Sequence, residues 1–101
     1  MIRHIVLLRL SGTSKAERHT QASLAKEKLE ALSVGIDGVV RIEVREDLGF
    51  VAGHWHALLF SEFKDNASLE EYQSHPRHLE VLQWLNGGVV VDRAVIDYET
   101  D

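Results

Sequence analysis

Repeats of apolar side chains divide the chain into strands and helices. Ile2 to Leu10 is a run of branched apolar residues followed by Ser-Gly-Thr, a pattern typical of a strand that ends in a turn. Ser14 and Glu17 have the spacing of a capping box, so we expect a helix to begin there. The inward stripe of this helix recurs at intervals of three and four residues and comprises Ala22, Ala25, Leu29 and Leu32. We expect Gly35 to end the helix.

The middle of the chain predicts two more strands. Apolar and charged residues alternate over residues 40–45, which places Val40, Ile42 and Val44 on one face of a second strand. Trp55 to Phe63 is apolar and rich in aromatic residues, and this composition favours a third strand.

A proline divides the last helical region. Asp65 is placed to cap a short helix that carries Tyr72. Pro76 cannot donate a helical hydrogen bond, so we expect it to end this helix and to begin a second one. The Asn-Gly-Gly at residues 86–88 then stops the second helix, and Val89 to Tyr98 supplies a last strand.

The order of these elements, β-α-β-β-α-β, predicts an α+β fold of the ferredoxin-like type with an antiparallel sheet. A chain of 101 residues, of which 45% are hydrophobic and 27% charged, has room for one core. We therefore expect a single domain over residues 1–101.

The first strand has apolar residues on both of its faces. His4 lies on one face with Val6 and Leu8. Ile5 and Leu7 point the opposite way. Helices cover only one face of such a sheet, so the second apolar face would be exposed to water. This pattern predicts that the chain pairs with a copy of itself as a homodimer.

Charge and composition exclude several classes of partner. The formal net charge of -5 and the scattered basic residues argue against binding to nucleic acid or to an anionic membrane. No run approaches the roughly 20 apolar residues of a membrane span, so we expect a cytoplasmic protein. Because the chain has no cysteine, imidazole and carboxylate groups are the candidates for chemistry.

Reactive side chains are concentrated between Tyr72 and His78. His78 shares a helix face with Leu82 and Leu85, so it is expected to point toward the core. His4 on the first strand is expected to approach it. A partly buried imidazole beside a tyrosine hydroxyl suits proton transfer from a carbon acid, with Tyr72 donating to the developing enolate. The alternative interpretation is a hydrogen-bonded core histidine beside a boundary tyrosine.

Three segments together resemble the stress-responsive A/B barrel (Dabb) family. They are the opening Met1 to Leu8, the Tyr-x-x-His-Pro-x-His pattern from Tyr72 to His78, and the closing residues 92–99. The resemblance implies a homodimer whose two sheets close into a dimeric α/β barrel. It also implies a polyketide cyclase or lyase that works without a cofactor, because one plant member closes a linear polyketide by aldol condensation. In that reading His78 is the general base and Tyr72 orients the substrate carbonyl.

The implied site includes further candidates for binding a small-molecule substrate inside each subunit. By resemblance His4 lines the same pocket, and His75 belongs to the same segment. Trp84 is another candidate, although tryptophan also fits core or interface packing. The chain departs from the plant cyclase at Ala57, where that enzyme has a further pocket histidine. A different substrate, or none, is implied.

Two other functions stay open. One is a non-catalytic, stress-related binding or structural dimer in which the same residues form a core network. The other is a cofactor-free monooxygenase, because monooxygenases of quinone-type biosynthesis share the dimeric barrel architecture.

The remaining candidates favour structural roles. His54 and His56 are two residues apart and could begin a metal site, but no third ligand is evident and hydrogen bonding explains them better. We expect His19 to be solvated. Arg3 and Arg9 suit either an anionic substrate or interface salt bridges. No metal and no cofactor is therefore expected.

Overall fold

The structure is a computed structural model that describes residues 1–100. The described strands are β1 (Ile2–Leu10), β2 (Val39–Glu46), β3 (Ala57–Phe63) and β4 (Val90–Glu99). The described helices are α1 (Lys15–Glu30), α2 (Asn66–Ser74) and α3 (Pro76–Trp84). A short 3-10 turn follows α1, and a wider π-type turn follows α3. The predicted order of elements is confirmed, including the break in the last helical region.

The four strands form one antiparallel sheet with the order β2-β3-β1-β4. This is the ferredoxin-like α+β fold that the sequence predicts. Two of its pairings matter for the site. His4 in the central strand β1 lies opposite Ser61 on one side and opposite Asp97 on the other. The register therefore brings residues 93 positions apart in the chain into direct contact.

The core lies between the helices and one face of the sheet. From α1, it receives the predicted stripe of Ala22, Ala25 and Leu29, each at most 4% exposed. Phe63 at the end of β3 is completely buried. Among the helices in residues 1–100, none combines the length and the apolar character needed to cross a membrane.

The structure corrects one predicted core-facing residue and two predicted element boundaries. A β-bulge lies between Val39 and Arg41, so the extra residue Val40 is exposed instead of facing the core. Helix α1 ends at Glu30, before Gly35, because the chain tightens into the 3-10 turn. The third strand begins at Ala57, two residues later than expected.

The sheet face away from the helices is open. Its centre is apolar, and it comprises Ile5, Leu7, Leu58, Phe60, Ala94 and Ile96. Charged residues border it on β2, where Arg41 and Arg45 both bind Glu43. Ile96 is 60% exposed. A partly exposed apolar sheet face of this kind marks a surface for association.

Candidate functional site

His78 is oriented by a backbone carbonyl at the junction of α2 and α3. Its Nδ1 lies 3.0 Å from the carbonyl oxygen of Gln73. A carbonyl oxygen can only accept, so Nδ1 carries the proton and donates it. The lone pair of neutral His78 is therefore on Nε2. This tautomer is the one a general base needs.

The bend at Pro76 creates this arrangement. The backbone N–H of His75 donates to Tyr72 O over 3.1 Å as α2 ends. The Nδ1 atom of His75 then accepts a hydrogen bond of 3.1 Å from the backbone N–H of Arg77, which caps α3. His75, expected to bind substrate, thus uses its ring to cap a helix.

Tyr72 packs directly against His78. The two rings have centroids 4.5 Å apart, and the ring of Phe63 lies 4.9 Å away on another side. Tyr72 is 1% exposed, and its hydroxyl has no hydrogen-bond partner within residues 1–100. Burial raises the pKa of Tyr72 well above its usual value. The hydroxyl therefore stays protonated and is a donor without an acceptor.

His4 approaches the same group from the sheet. Its Nδ1 is hydrogen-bonded to Oδ1 of Asp97, the residue opposite it on β4. Its backbone carbonyl accepts a hydrogen bond of 2.9 Å from Ser61 Oγ. His4 is buried, and the carboxylate of Asp97 fixes the orientation of its imidazole.

The surroundings keep His78 neutral. Burial is the main cause that lowers the pKa of His78, and the charge of neighbouring His4 lowers it further. The hydrogen bond to Gln73 acts in the opposite direction but does not reverse the shift. An imidazole with a lowered pKa is in its basic, unprotonated form at neutral pH.

A cavity of about 340 Å³ joins the two histidines. This size lies within the range of about 300 to 1,000 Å³ that is usual for small-molecule sites. Its polar lining residues are His4, Gln73, His78 and Arg93. Its apolar lining residues are Val6, Leu8, Leu29, Leu59, Leu82, Leu85 and Val95. The expected approach of His4 to His78 is thus present, whereas Tyr72 lies behind His78 and does not line the cavity.

Trp84 lies outside this cavity. It borders a separate cleft between α1 and α3, where Lys28 Nζ lies 5.1 Å from its ring centroid. Six residues separate Trp84 from His78, which is about 240° of rotation around a helix, so the two side chains face different ways. This angular separation could have been predicted from the sequence, because it depends only on the spacing of the two residues along one helix.

The other histidines have separate structural partners. His56 Nδ1 accepts a hydrogen bond of 2.9 Å from the backbone N–H of Leu10, and His54 Nδ1 lies 3.2 Å from a carboxylate oxygen of Asp47. Both precede β3, so they do not share a face of that strand. Residues 1–100 contain no group of three or more His, Asp or Glu side chains placed to hold a metal ion.

Three other side chains of the predicted set have partners on the surface. His19 Nδ1 lies 2.7 Å from Glu46, so His19 is paired where we expected only solvent. Arg3 binds Glu62 over 3.2 Å on the open sheet face. Arg9 stacks on the ring of Trp55. Arg3 and Arg9 thus have partners outside the cavity.

Sequence reasoning missed three residues of the site: Gln73, Arg93 and Asp97. Gln73 acts through its backbone carbonyl, which has no sequence signature. Arg93 and Asp97 reach the cavity and His4 through the pairing of β4 with β1. Their alternate spacing with Val95 on a strand was visible, but the register that places them opposite His4 was not.

A match to a family model along nearly the whole chain identifies the family of this protein. The family model described as Stress Responsive A/B Barrel Domain, or Dabb, matches residues 2–100. The chain belongs to this family. The predicted family is thereby confirmed. None of the curated proteins compared with the chain matches it.

Solved structures agree with the Dabb assignment. A dimeric protein of unknown function with a ferredoxin-like fold from Bacteroides fragilis NCTC 9343 is similar, with 31% identity and a TM-score of 0.83. The alignment covers 98% of this chain and 95% of that chain. A Dabb family protein from Mesorhizobium loti MAFF303099 is 26% identical with a TM-score of 0.75, covering 99% of this chain and 96% of that chain.

The fold is also similar to that of a protein described as a putative enzyme. A putative antibiotic biosynthesis monooxygenase from Deinococcus radiodurans is 20% identical with a TM-score of 0.73, covering 99% of this chain and 91% of that chain. A likeness at this identity shows the fold alone, because one fold supports unrelated activities.

Proposed function

We propose that this Dabb protein is a cofactor-independent enzyme that removes a proton from a carbon next to a carbonyl group. Its substrate is a mainly apolar small molecule in the cavity between the helices and the sheet. One observation carries the proposal: His78 lines the cavity, and its hydrogen bond to Gln73 leaves Nε2 as the proton acceptor. The lowered pKa of His78 supports the same role.

The proposed step balances within the substrate and His78. The proton of the C–H bond passes to His78 Nε2, and the electron pair of that bond forms an enolate whose oxygen takes the negative charge. Tyr72 does not line the cavity, so the role of donor to this oxygen that the sequence suggested for it is not retained. Its ring packs against the imidazole of His78 and helps to hold the base in position.

A cyclase reaction follows from the same enolate. Its carbon attacks a second carbonyl of the same molecule, a carbon–carbon bond forms, and the new alkoxide takes back the proton from His78. His4, held by Asp97, would position the substrate at the opposite wall of the cavity. The mainly apolar lining limits the number of water molecules beside the enolate, which could otherwise protonate it.

We also propose that the protein is a homodimer that associates through the open sheet face. Its apolar centre, around Phe60 and Ile96, supports this arrangement. The Bacteroides fragilis relative is described as dimeric. Two sheets packed face to face in this way would form the barrel after which the family is described.

Deuterium exchange tests the proposed proton abstraction without knowledge of the natural substrate. The probe is 2-undecanone in D₂O, and the readout is deuterium incorporation beside the carbonyl, measured by mass spectrometry. We expect the protein to accelerate exchange and His78→Gln to abolish the acceleration. His19→Gln is the matched control, because His19 is exposed and pairs only with Glu46 among the described residues.

The outcomes of the exchange experiment distinguish the proposed enzyme from the non-catalytic dimer and from the monooxygenase. Exchange at the same rate in His78→Gln and the unsubstituted protein would remove His78 as the base. No acceleration with this probe or with a series of shorter ketones would favour the non-catalytic dimer. Exchange under argon is expected to equal exchange in air, whereas a product gaining oxygen only in air would indicate a monooxygenase.

A further inference from the structure

Arg93 is the one permanently charged side chain among the residues that line the cavity. It lies on β4 opposite Leu8, on the sheet face that carries the cavity. Arg93 and its neighbour on that face, Val95, are exposed, so the cavity opens at this edge of the sheet. A ligand entering from solvent would pass the guanidinium group.

The charge of Arg93 is not neutralised by any carboxylate within residues 1–100. Its Nη2 donates to the amide oxygen Oδ1 of Asn86, which is a neutral partner. The adjacent Asp92 accepts a hydrogen bond of 2.9 Å from the backbone N–H of Arg93 and forms no ion pair with its side chain. A guanidinium group with a neutral partner beside an apolar cavity favours an anionic ligand group.

The position of Arg93 along β4 separates it from the histidines. Arg93, Val95 and Asp97 alternate on one face, opposite Leu8, Val6 and His4 respectively. Four residues of strand span about 13 Å. The uncompensated positive charge is therefore at one end of the cavity wall, and the His4 and Asp97 pair is at the other.

We propose that the cavity binds an elongated, mainly apolar carboxylate, with its carboxylate group at Arg93 and its chain extending toward His78. The proposal rests on the proposed function in using the same cavity, and it names the class of substrate. The orientation follows from charge and access: Arg93 is permanently charged at the open end of the cavity and can form charge-assisted hydrogen bonds with a carboxylate, whereas His4 at the other end already binds the carboxylate of Asp97.

The test compares two ligands that share the same apolar chain, one with a charged head group and one with a neutral head group. Octanoate and 1-octanol have chains of the same length, and isothermal titration calorimetry near neutral pH gives the affinity of each. We expect octanoate to bind more tightly than 1-octanol. Arg93→Gln should weaken octanoate binding on the order of 10- to 100-fold and leave 1-octanol binding unchanged. Arg93→Lys keeps the charge and should retain an intermediate affinity.

Lys64→Gln is the matched control for loss of one positive charge. Lys64 is exposed after β3 and does not line the cavity, so the variant should bind octanoate like the unsubstituted protein. Thermal melts followed by circular dichroism check that each variant folds. Raising the salt concentration should weaken binding of octanoate but not of 1-octanol.

The outcomes distinguish this proposal from the proposed function. Equal affinity for the two ligands, or unchanged octanoate binding in Arg93→Gln, would overturn the role of Arg93 while leaving the cavity as an apolar site. Failure of both ligands to bind would also overturn it. The exchange of 2-undecanone, which carries no charge, depends on His78 and decides the proposed function separately.

Discussion

The imidazole of His78 donates its Nδ1 proton to the backbone carbonyl of Gln73 across the bend that Pro76 creates. Because this acceptor belongs to the backbone, the tautomer of His78 does not depend on the protonation of another side chain. Burial lowers the pKa of the same imidazole. Orientation and basicity are thus set by two independent features, the chain bend and the apolar surroundings.

Stability should depend on pH through His78. The folded pKa lies below the ordinary value of about 6.5, so between these values the unfolded chain binds more protons than the folded one. The stability contributed by neutral His78 is therefore present above about pH 6.5 and is lost as pH falls toward the folded pKa. Urea unfolding at a series of pH values should show a shallower pH dependence for His78→Gln.

Gln83→Ala serves as the control for this pH series. Gln83 is exposed on α3 and does not titrate, so this variant should keep the dependence of the unsubstituted protein. Equal slopes in His78→Gln and the unsubstituted protein between about pH 5 and pH 7 would contradict the lowered pKa of His78.

Removal of the Tyr72 hydroxyl should not destabilise the fold. A buried polar group without a partner costs about 1 to 3 kcal/mol, and the Tyr72 hydroxyl has none within residues 1–100. We expect Tyr72→Phe to leave the free energy of unfolding unchanged or to raise it by about 1 kcal/mol. The same variant should leave 2-undecanone exchange unchanged, because Tyr72 does not line the cavity.

Tyr98→Phe is the matched control for Tyr72→Phe. The Tyr98 hydroxyl lies on the open sheet face and accepts a hydrogen bond of 3.4 Å from Arg3. Loss of this bonded hydroxyl should lower the free energy of unfolding by up to about 1 kcal/mol, in contrast to Tyr72→Phe. A fall in stability above about 1 kcal/mol in Tyr72→Phe would mean that this hydroxyl is hydrogen-bonded in the folded protein.

Local patterns in the sequence were sufficient for most of the fold. The intervals of Ala22, Ala25 and Leu29 specify which side of α1 is buried, since helical spacing is a property of the nearby chain. The break at Pro76 follows from its missing N–H group. The orientation of His78 toward Leu82 and Leu85 is likewise set within two helical turns.

The parts that could not be predicted depend on register between distant segments. The exposed position of Val40 results from a bulge, which changes the pairing of β2 with β3 and leaves no local pattern. The contact of His4 with Asp97 requires the register of β1 and β4. A shift by one residue would place Arg93 on the open face, and the sequence alone does not fix that choice.

A pair of glycine variants separates backbone strain from crowding. Gly38 has a φ of +82°, and a Cβ there would overlap the side chain of Ser68. Ser68 cannot move easily, because its backbone N–H and its hydroxyl both donate to Asp65 at 2.8 and 2.7 Å. Gly53 has a φ of +87°, but no atom lies within 4 Å of a Cβ built there.

We expect Gly53→Ala to lower the free energy of unfolding by about 1 to 2 kcal/mol, the cost of the left-handed conformation alone. Gly38→Ala should lower it by a further amount of about 1 to 3 kcal/mol, because α2 must shift away from the β2 end. Chemical denaturation measures both. Equal losses in the two variants would show that the turn before β2 rearranges without moving α2.

Dimerisation through the open sheet face should be abolished by one buried charge. Phe60 lies on β3 near the centre of that face, with Arg3 and Arg41 over its ring at 5.7 and 5.2 Å. In the proposed homodimer, lysine at this position would be desolvated beside these two arginines, and burying a charge among like charges is costly.

We expect sedimentation equilibrium to give twice the 11.4 kDa chain mass for the unsubstituted protein and the chain mass for Phe60→Lys. Val34→Lys is the control, because Val34 is 73% exposed in the turn before β2 and away from the sheet face. A dimer that persists in Phe60→Lys, or that dissociates in Val34→Lys, would place the interface elsewhere.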